Sequence, residues 1–379
     1  MKKVLIVGYS PLCQKQNVIL GIDKLSEITS VEYWDLSLIF GDQARLPKIT
    51  IKSVLVKEVN SLRQFEALVK NISDEFVIFY MHLDNRTYPY YKALSLTKCK
   101  LANIVTGSLP SCSSETCASS FFDKMTRCLK EPKKLGHFFL VKVNNIIFSL
   151  KVKSLRPFDY CLFSGLKPSL LFNCDNVKMV PINDYDYQIT KDTPKEKLVE
   201  GHYILFIDQY EPFHPDFEIL GIEKVDPDSY FREINSYFDL IEKRYNMPIV
   251  ISAHPKALRY HNKNYFNGRK VTWGNTCQLS YYADYVITHY STAISFPVCF
   301  KKPLLFIYTG EMESKNPSIN VLHSMANILN CNRVNISESR NTDFADVDEH
   351  KYFDYLFSYI TNKESMNNDN YKIILDLLK

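Results

Sequence analysis

Glycine is scarce in this chain. Only 11 of 379 residues are glycine, and no two of them stand one residue apart. The Gly-x-Gly-x-x-Gly fingerprint and the P-loop both need clustered glycines so that backbone can approach phosphates, and neither occurs. A classical NAD enzyme and a P-loop kinase are therefore disfavoured. Long apolar runs are missing too: none approaches the ~20 residues needed to span a bilayer, which leaves only peripheral membrane contact. No charge of one sign dominates, since 46 basic residues face 42 acidic ones for a net charge of +4, too little to mark a nucleic-acid binder. The ten cysteines contain no Cys-x-x-Cys pair. The chain starts Met1-Lys2-Lys3-Val4 without a signal-peptide pattern, so reduced thiols and a cytoplasmic location are expected.

What is present is an ordinary globular mixture, 46% hydrophobic and 23% charged, long enough for two domains or one large α/β unit. Aromatics are abundant, with 25 Tyr and 24 Phe. They suit either sugar-stacking clefts or plain core filling.

Short apolar runs alternate with helical stretches. Val4–Gly8, Ser30–Trp34 ending at Asp35, Phe76–Tyr80 and Asn103–Thr106 read as strands, with a helix from Tyr90 to Lys98. From Asp184 to Gly201 the chain turns polar and loop-like, and the domain boundary is placed there. The rhythm then restarts with strands Tyr203–Ile207, Pro248–Ser252, Tyr285–Ile287 and Leu304–Ile307. Helices are expected near Ser229–Tyr245, Thr276–Tyr282, from Thr292, near His350–Thr361 and near Asn370–Leu378. This alternation predicts an α/β protein of two Rossmann-like domains, residues 1–187 and 188–379, with ligands at the carboxyl ends of the strands. Whether the C-terminal helices cross back onto the first domain is left open.

Three places in the second half put polar residues at such strand ends. In Ile251-Ser252-Ala253-His254-Pro255-Lys256 the proline ends strand pairing and fixes the backbone that carries the imidazole. In Thr288-His289-Tyr290-Ser291-Thr292 hydroxyls and free amides open a helix, an arrangement suited to a phosphate. Gly274-Asn275-Thr276 opens the intervening helix and could face the same ligand. Taken singly, each has a structural reading as a core histidine, a helix cap or a turn. Together in one α/β half they describe a nucleotide-phosphate pocket.

The order His254-Pro255, then Ser291-Thr292, resembles the His-Pro and Ser/Thr motifs of bacterial sialyltransferases and transferases of Kdo and nonulosonic acids, which have the two-domain GT-B glycosyltransferase fold. The stretch from Phe206-Ile207-Asp208-Gln209 through Lys302-Pro303-Leu304-Leu305 is similar to bacterial surface-polysaccharide biosynthesis proteins, with Pro212-Phe213-His214-Pro215-Asp216 and Ala283-Asp284-Tyr285-Val286 inside it. The resemblance covers about half the chain. It implies that His254, Ser291 and Thr292, with Thr276, hold the nucleotide and phosphate of a CMP-sugar donor; Pro255 and Gly274 are expected in the same donor pocket.

The acidic pair followed by glycine, which supplies the general base in those sialyltransferases, is absent. An inverting transfer needs a base within reach of the acceptor hydroxyl. By position Asp84 is the first choice, with His82 and Asp35 in reserve, although Asp84 equally suits a cap or loop. Gly8, Ser10, Asp208, Gln209 and Glu211 follow strands and are expected near substrate. Asp184-Tyr185-Asp186, Asp226-Pro227-Asp228 and Asp346-Val347-Asp348 match a short Asp-x-Asp metal pattern, but none follows a strand as a metal site would require, so no metal and no cofactor are expected. Between Phe121 and Arg156 lie nine basic residues (Lys124, Arg127, Lys130, Lys133, Lys134, Lys142, Lys151, Lys153, Arg156) against two acidic ones. That segment suits an anionic membrane surface, acceptor phosphates or a solvated face.

The expectation is an inverting, metal-independent glycosyltransferase moving an acidic sugar from a CMP donor to a glycan or lipid-linked glycan of the bacterial surface. It would sit in the cytoplasm or at the inner face of the membrane, with no nucleic-acid partner. UDP- or GDP-sugars, a CDP-alcohol donor, a sugar-nucleotide 2-epimerase and a binding protein are the alternatives.

Overall fold

The structure is a computed structural model that describes residues 2–41, 47–107, 109–110, 144, 146–168, 176–192 and 196–379. The chain divides into two compact units. Described residues within 2–107, 144–188 and 361–379 form the first, and those within 109–110 and 189–360 form the second. The expected second domain thus yields its last segment, 361–379, to the first unit.

The first unit is built on strands β1 (Val4–Gly8), β2 (Val31–Asp35), β3 (Val54–Glu58), β4 (Phe76–Tyr80), β5 (Lys100–Val105), β6 (Tyr160–Phe163) and β7 (Lys178–Pro181). They lie in the order β3-β2-β1-β4-β5-β6-β7, and every pairing is parallel. β1 is buried at all five positions because helices cover both faces, which is why it reads as an unbroken apolar run. Its side chains still alternate. Val4 and Ile6 join one core with Leu20, Leu25 and Ile374, whereas Leu5 and Val7 join the other with Trp34, Phe65, Phe79 and Tyr91.

The C-terminal helix Asn370–Leu377 is locked to this unit by buried amides. Asn370 Nδ2 donates to the carbonyls of Ile19 (2.7 Å) and Asn183 (2.8 Å), and Asn183 Nδ2 donates to those of Ser365 (3.0 Å) and Asn368 (2.8 Å). Both asparagines are essentially inaccessible, so removing either side chain would strand buried polar backbone.

The second unit repeats the plan with β8 (Ile204–Ile207), β9 (Ile249–Ala253), β10 (Val271–Trp273), β11 (Tyr285–Thr288), β12 (Leu304–Tyr308) and β13 (Asn332–Asn335). All pairings are again parallel, in the order β10-β9-β8-β11-β12-β13. Helix Pro227–Tyr245 starts on Asp226, whose carboxylate accepts the Ser229 amide (2.8 Å), and ends on Asn246 in the left-handed conformation. It buries Tyr230, Phe231, Ile234, Tyr237, Phe238 and Ile241, a stripe at helical spacing. The two-domain α/β expectation therefore holds: both units are doubly wound parallel sheets.

Several local expectations change. The polar stretch after Asp184 carries a helix, Tyr185–Asp192, instead of a loop. Thr292 opens a single 3-10 turn, Thr292–Ile294, before the short helix Ser295–Cys299. Strands β3, β6, β7, β10 and β13 went unrecognised because they are short or polar. Most of the basic segment, including Lys124, Arg127, Lys130, Lys133, Lys134 and Lys142, lies outside the described residues. Of the rest, Arg156 turns inward and donates to the Thr97 (2.6 Å) and Cys99 (2.7 Å) carbonyls and to Asp159 (2.6 Å), so it is part of the fold. Among the described residues no helix is long and apolar enough to cross a membrane.

Candidate functional site

In the second sheet the chain runs outward from β8 to β9 and β10, then returns to the other side of β8 as β11. Ligands of such sheets bind at this reversal, beyond the carboxyl ends of the strands. A cavity of about 580 Å³ lies there, lined by Asp208 and Gln209 after β8, Ser252 to Pro255 at the end of β9, Thr276, and Tyr290 to Ala293 after β11. Ile207, His214, Asp216, Ser318 and Val321 complete its described wall within this unit, with Leu109.

His254 is held by its own turn. The Lys256 amide donates to its Nδ1 (3.1 Å), so the ring proton of the neutral form sits on Nε2, for which the described residues offer no acceptor. Burial, with His214 and Lys256 nearby, pushes the imidazole down to about 4. At neutral pH it is an uncharged donor.

Asp208 is 2% exposed. Its carboxylate accepts the Tyr260 hydroxyl (3.4 Å) and, at longer range, the His254 amide (3.5 Å). Burial raises it to about 6. It is a positioning group that ties the β8 turn to the β9 end. Gln209 Oε1 accepts the Tyr290 amide (3.0 Å). The next residue, Tyr210, has φ +60°, a left-handed turn that brings Glu211 back beneath the loops. Glu211, 1% exposed, does not line the cavity. It accepts the Tyr290 hydroxyl and Asn316 Nδ2 (2.7 Å), and Asn316 also donates to the Tyr290 hydroxyl (2.6 Å). This triangle joins the loops that follow β8, β11 and β12. Burial raises Glu211 to about 7.

On the opposite wall the Ser291 hydroxyl accepts the Ala293 amide (3.2 Å), and the amides of Ser291 and Thr292 make no hydrogen bond among the described residues. The Ser252 and Thr276 hydroxyls share a hydrogen bond (2.7 Å). Gly274, with φ +79° and open space where a Cβ would stand, is exposed and outside the cavity wall, so its glycine answers to the turn. His289 is fully buried: its Nδ1 donates to the Ile307 carbonyl (2.6 Å) and its Nε2 accepts the Tyr230 hydroxyl (2.8 Å), a structural histidine. The aromatics beside the site, Tyr210, Phe231, Tyr260 and Phe266 among them, pack edge to face in the core, the core-filling reading.

The first unit treats its candidates differently. A Cβ on Gly8 would fall 2.1 Å from the Tyr33 hydroxyl, which donates to the Ser10 carbonyl (2.7 Å), so packing alone demands glycine. Ser10 Oγ accepts Gln16 Nε2 (2.6 Å). Asp35 is buried and accepts the Ser37 amide (2.9 Å). Asp84 accepts the amides of Arg86 (2.8 Å) and Thr87 (3.0 Å) and the Arg86 guanidinium (2.9 Å and 3.2 Å). Burial pushes its carboxyl up, but those donors outweigh it and hold the carboxyl below its ordinary value. His82 is exposed beside it.

Asp184, which sequence reasoning assigned to the linker, follows β7 and receives the amides of Tyr185 and Gly107. Lys15 and Tyr80 lie within electrostatic range, so residues after β1, at the end of β4 and after β5 converge on it. Burial raises its pKa.

Of the remaining Asp-x-Asp members, Asp226 and Asp348 cap helices Pro227–Tyr245 and Glu349–Tyr355. Among the described residues no three His, Cys, Asp or Glu side chains gather to hold a metal.

No protein-family model and no curated protein matches this chain. Solved structures similar to it include UDP-GlcNAc 2-epimerase from Methanocaldococcus jannaschii (12% identical, 99% of each chain covered, TM-score 0.49). CalG4, the calicheamicin glycosyltransferase, is 9% identical over 99% of this chain and 94% of that one, with a TM-score of 0.49. The wall teichoic acid polymerase TagF is 10% identical over 99% and 88%, with a TM-score of 0.48. At this similarity no residue role passes from them to this chain.

Proposed function

We propose that this protein is a glycosyltransferase that takes a sugar from a nucleotide donor bound at the His254 cavity. The observation that carries this is the convergence, at the reversal point of the second sheet, of a neutral His254 with a free Nε2–H, the unengaged amides of Ser291 and Thr292, and the Ser252–Thr276 hydroxyl pair. These groups donate hydrogen bonds, which is what phosphate oxygens accept. As the glycosidic bond to the donor breaks, negative charge grows on the leaving phosphate, and preorganised donors stabilise it.

On the motif resemblance, the donor is a CMP-linked acidic sugar and the transfer inverts configuration without a metal. The acceptor is a surface glycan, and its hydroxyl loses a proton to a carboxylate or imidazole as the new bond forms. Among Asp84, His82 and Asp184, we favour Asp184. Burial raises its pKa, whereas Asp84 is held by five hydrogen bonds.

A thermal-shift panel of CMP, CDP, UDP and GDP, followed by donor hydrolysis with His254→Ala, tests the reading. Stabilisation by CMP and a loss of turnover of about 100-fold are expected. Full activity in His254→Ala would sink it, and a response to UDP without CMP would move the donor away from acidic sugars.

A further inference from the structure

The His254 turn has a twin. His214-Pro215-Asp216 and His254-Pro255-Lys256 share one construction: in each, the amide two residues after the histidine donates to Nδ1, at 3.2 Å for His214 and 3.1 Å for His254. Each turn therefore fixes its neutral imidazole with the proton on Nε2, and neither Nε2 finds an acceptor among the described residues. The Asp216 carboxylate is 3.9 Å from His214 Nδ1, beyond hydrogen-bond reach. Instead it meets Lys256 Nζ at 2.9 Å, so each turn contributes one end of the salt bridge that links them. The rings stand edge to face with centroids 4.9 Å apart, and both line the cavity.

We propose that His214 and His254 form a two-donor clamp for a phosphate group, with the Asp216–Lys256 pair setting the spacing of the two rings. This rests on the reading of the cavity as a nucleotide-donor site. Phosphate oxygens only accept hydrogen bonds, and an imidazole whose Nδ1 is already occupied can only donate. Two such rings side by side present N–H groups and no competing acceptor. Burial lowers the pKa of both histidines, so the clamp works uncharged at neutral pH, while the Lys256 charge is compensated by Asp216. Selection thus comes from hydrogen-bond direction more than from net charge.

The test is calorimetric titration of the full chain with CMP, CDP, UDP and GDP, and with cytidine, uridine and guanosine as the same ligands without phosphate. His214→Ala is expected to weaken the bound nucleotide about tenfold or more, the worth of a hydrogen bond to a charged group, and to leave the nucleoside unchanged. His214→Gln, whose amide can reach the Nε2 position, should recover most of that loss.

Equal losses for nucleotide and nucleoside in His214→Ala would mean a merely structural role and overturn the clamp. So would a His214→Ala chain that binds like wild type while His254→Ala is impaired, and in that case the donor site itself would stand. Wild-type protein that binds none of the four nucleotides would overturn both the clamp and the donor site.

Discussion

The two sheets share a plan, with the first strand of each flanked by its second and fourth, yet the polar residues at their carboxyl ends are used in opposite ways. In the first unit Gly8, Ser10, Asp35 and Asp84 are all engaged in packing or capping. In the second, His254, His214 and the Ser291 and Thr292 amides keep donors that nothing described accepts. Unengaged donors that line a cavity are a better sign of a binding site than strand-end position alone, because folding leaves buried polar groups paired wherever it can.

The contrast can be broken by substitution. The largest effect is expected from His254→Ala, with turnover falling about 100-fold in a donor-hydrolysis assay and thermal stability nearly unchanged. Asp184→Asn and Asp84→Asn should separate next. The first is expected to lower kcat about 100-fold, the lower end of what a general base contributes, with modest change in the melting temperature. The second should lower the melting temperature with kcat largely kept; a larger kcat loss in Asp84→Asn would reverse the assignment.

Gly8→Ala should destabilise the first unit by about 1–3 kcal/mol through overpacking and leave nucleotide affinity alone. Adding Tyr33→Phe, which removes the hydroxyl a Cβ would strike, should recover part of that loss in chemical denaturation.

The smallest effect concerns pH. Folding raises Glu211 from 4.5 to about 7, so between those values the folded chain holds a proton that the unfolded chain has released. Its contribution to stability therefore falls as pH rises through that window. His254 and His289, lowered from 6.5 to about 4, act in the opposite direction and weaken the fold as pH drops from 6.5. Glu211→Gln should remove the first slope only, so that stability rises more steeply with pH between about 5 and 7 on the unopposed histidine contribution; an unchanged curve would mean that Glu211 titrates normally.

Much of the second unit was legible because its signals are local. Proline after His254 and the short apolar runs before Asp208 and Ser291 mark strand ends without any knowledge of neighbours. Strand-end position alone does not distinguish Asp84 from Asp184. Asp84 has Arg86 and Thr87 two and three residues away and folds onto them, whereas Asp184 gains its environment from Gly107, Lys15 and Tyr80, all distant in sequence. His214 carried a usable signal, the repeated His-Pro pair, but tertiary contacts, the Asp216–Lys256 bridge and the packing of the two rings, bring the turns together.

Apolar periodicity and proline act over a few residues, so the α/β alternation, the strand ends and the residues of the His254 turn are readable from the chain alone. Tertiary structure decided which of those ends keep free donors, where the C-terminal helix packs, and that Glu211 lies behind the cavity wall. Those outcomes depend on which distant loops meet, and therefore on strand order: placing β11 beside β8 brings Tyr290 to Gln209 and Glu211, a contact that no short-range pattern encodes.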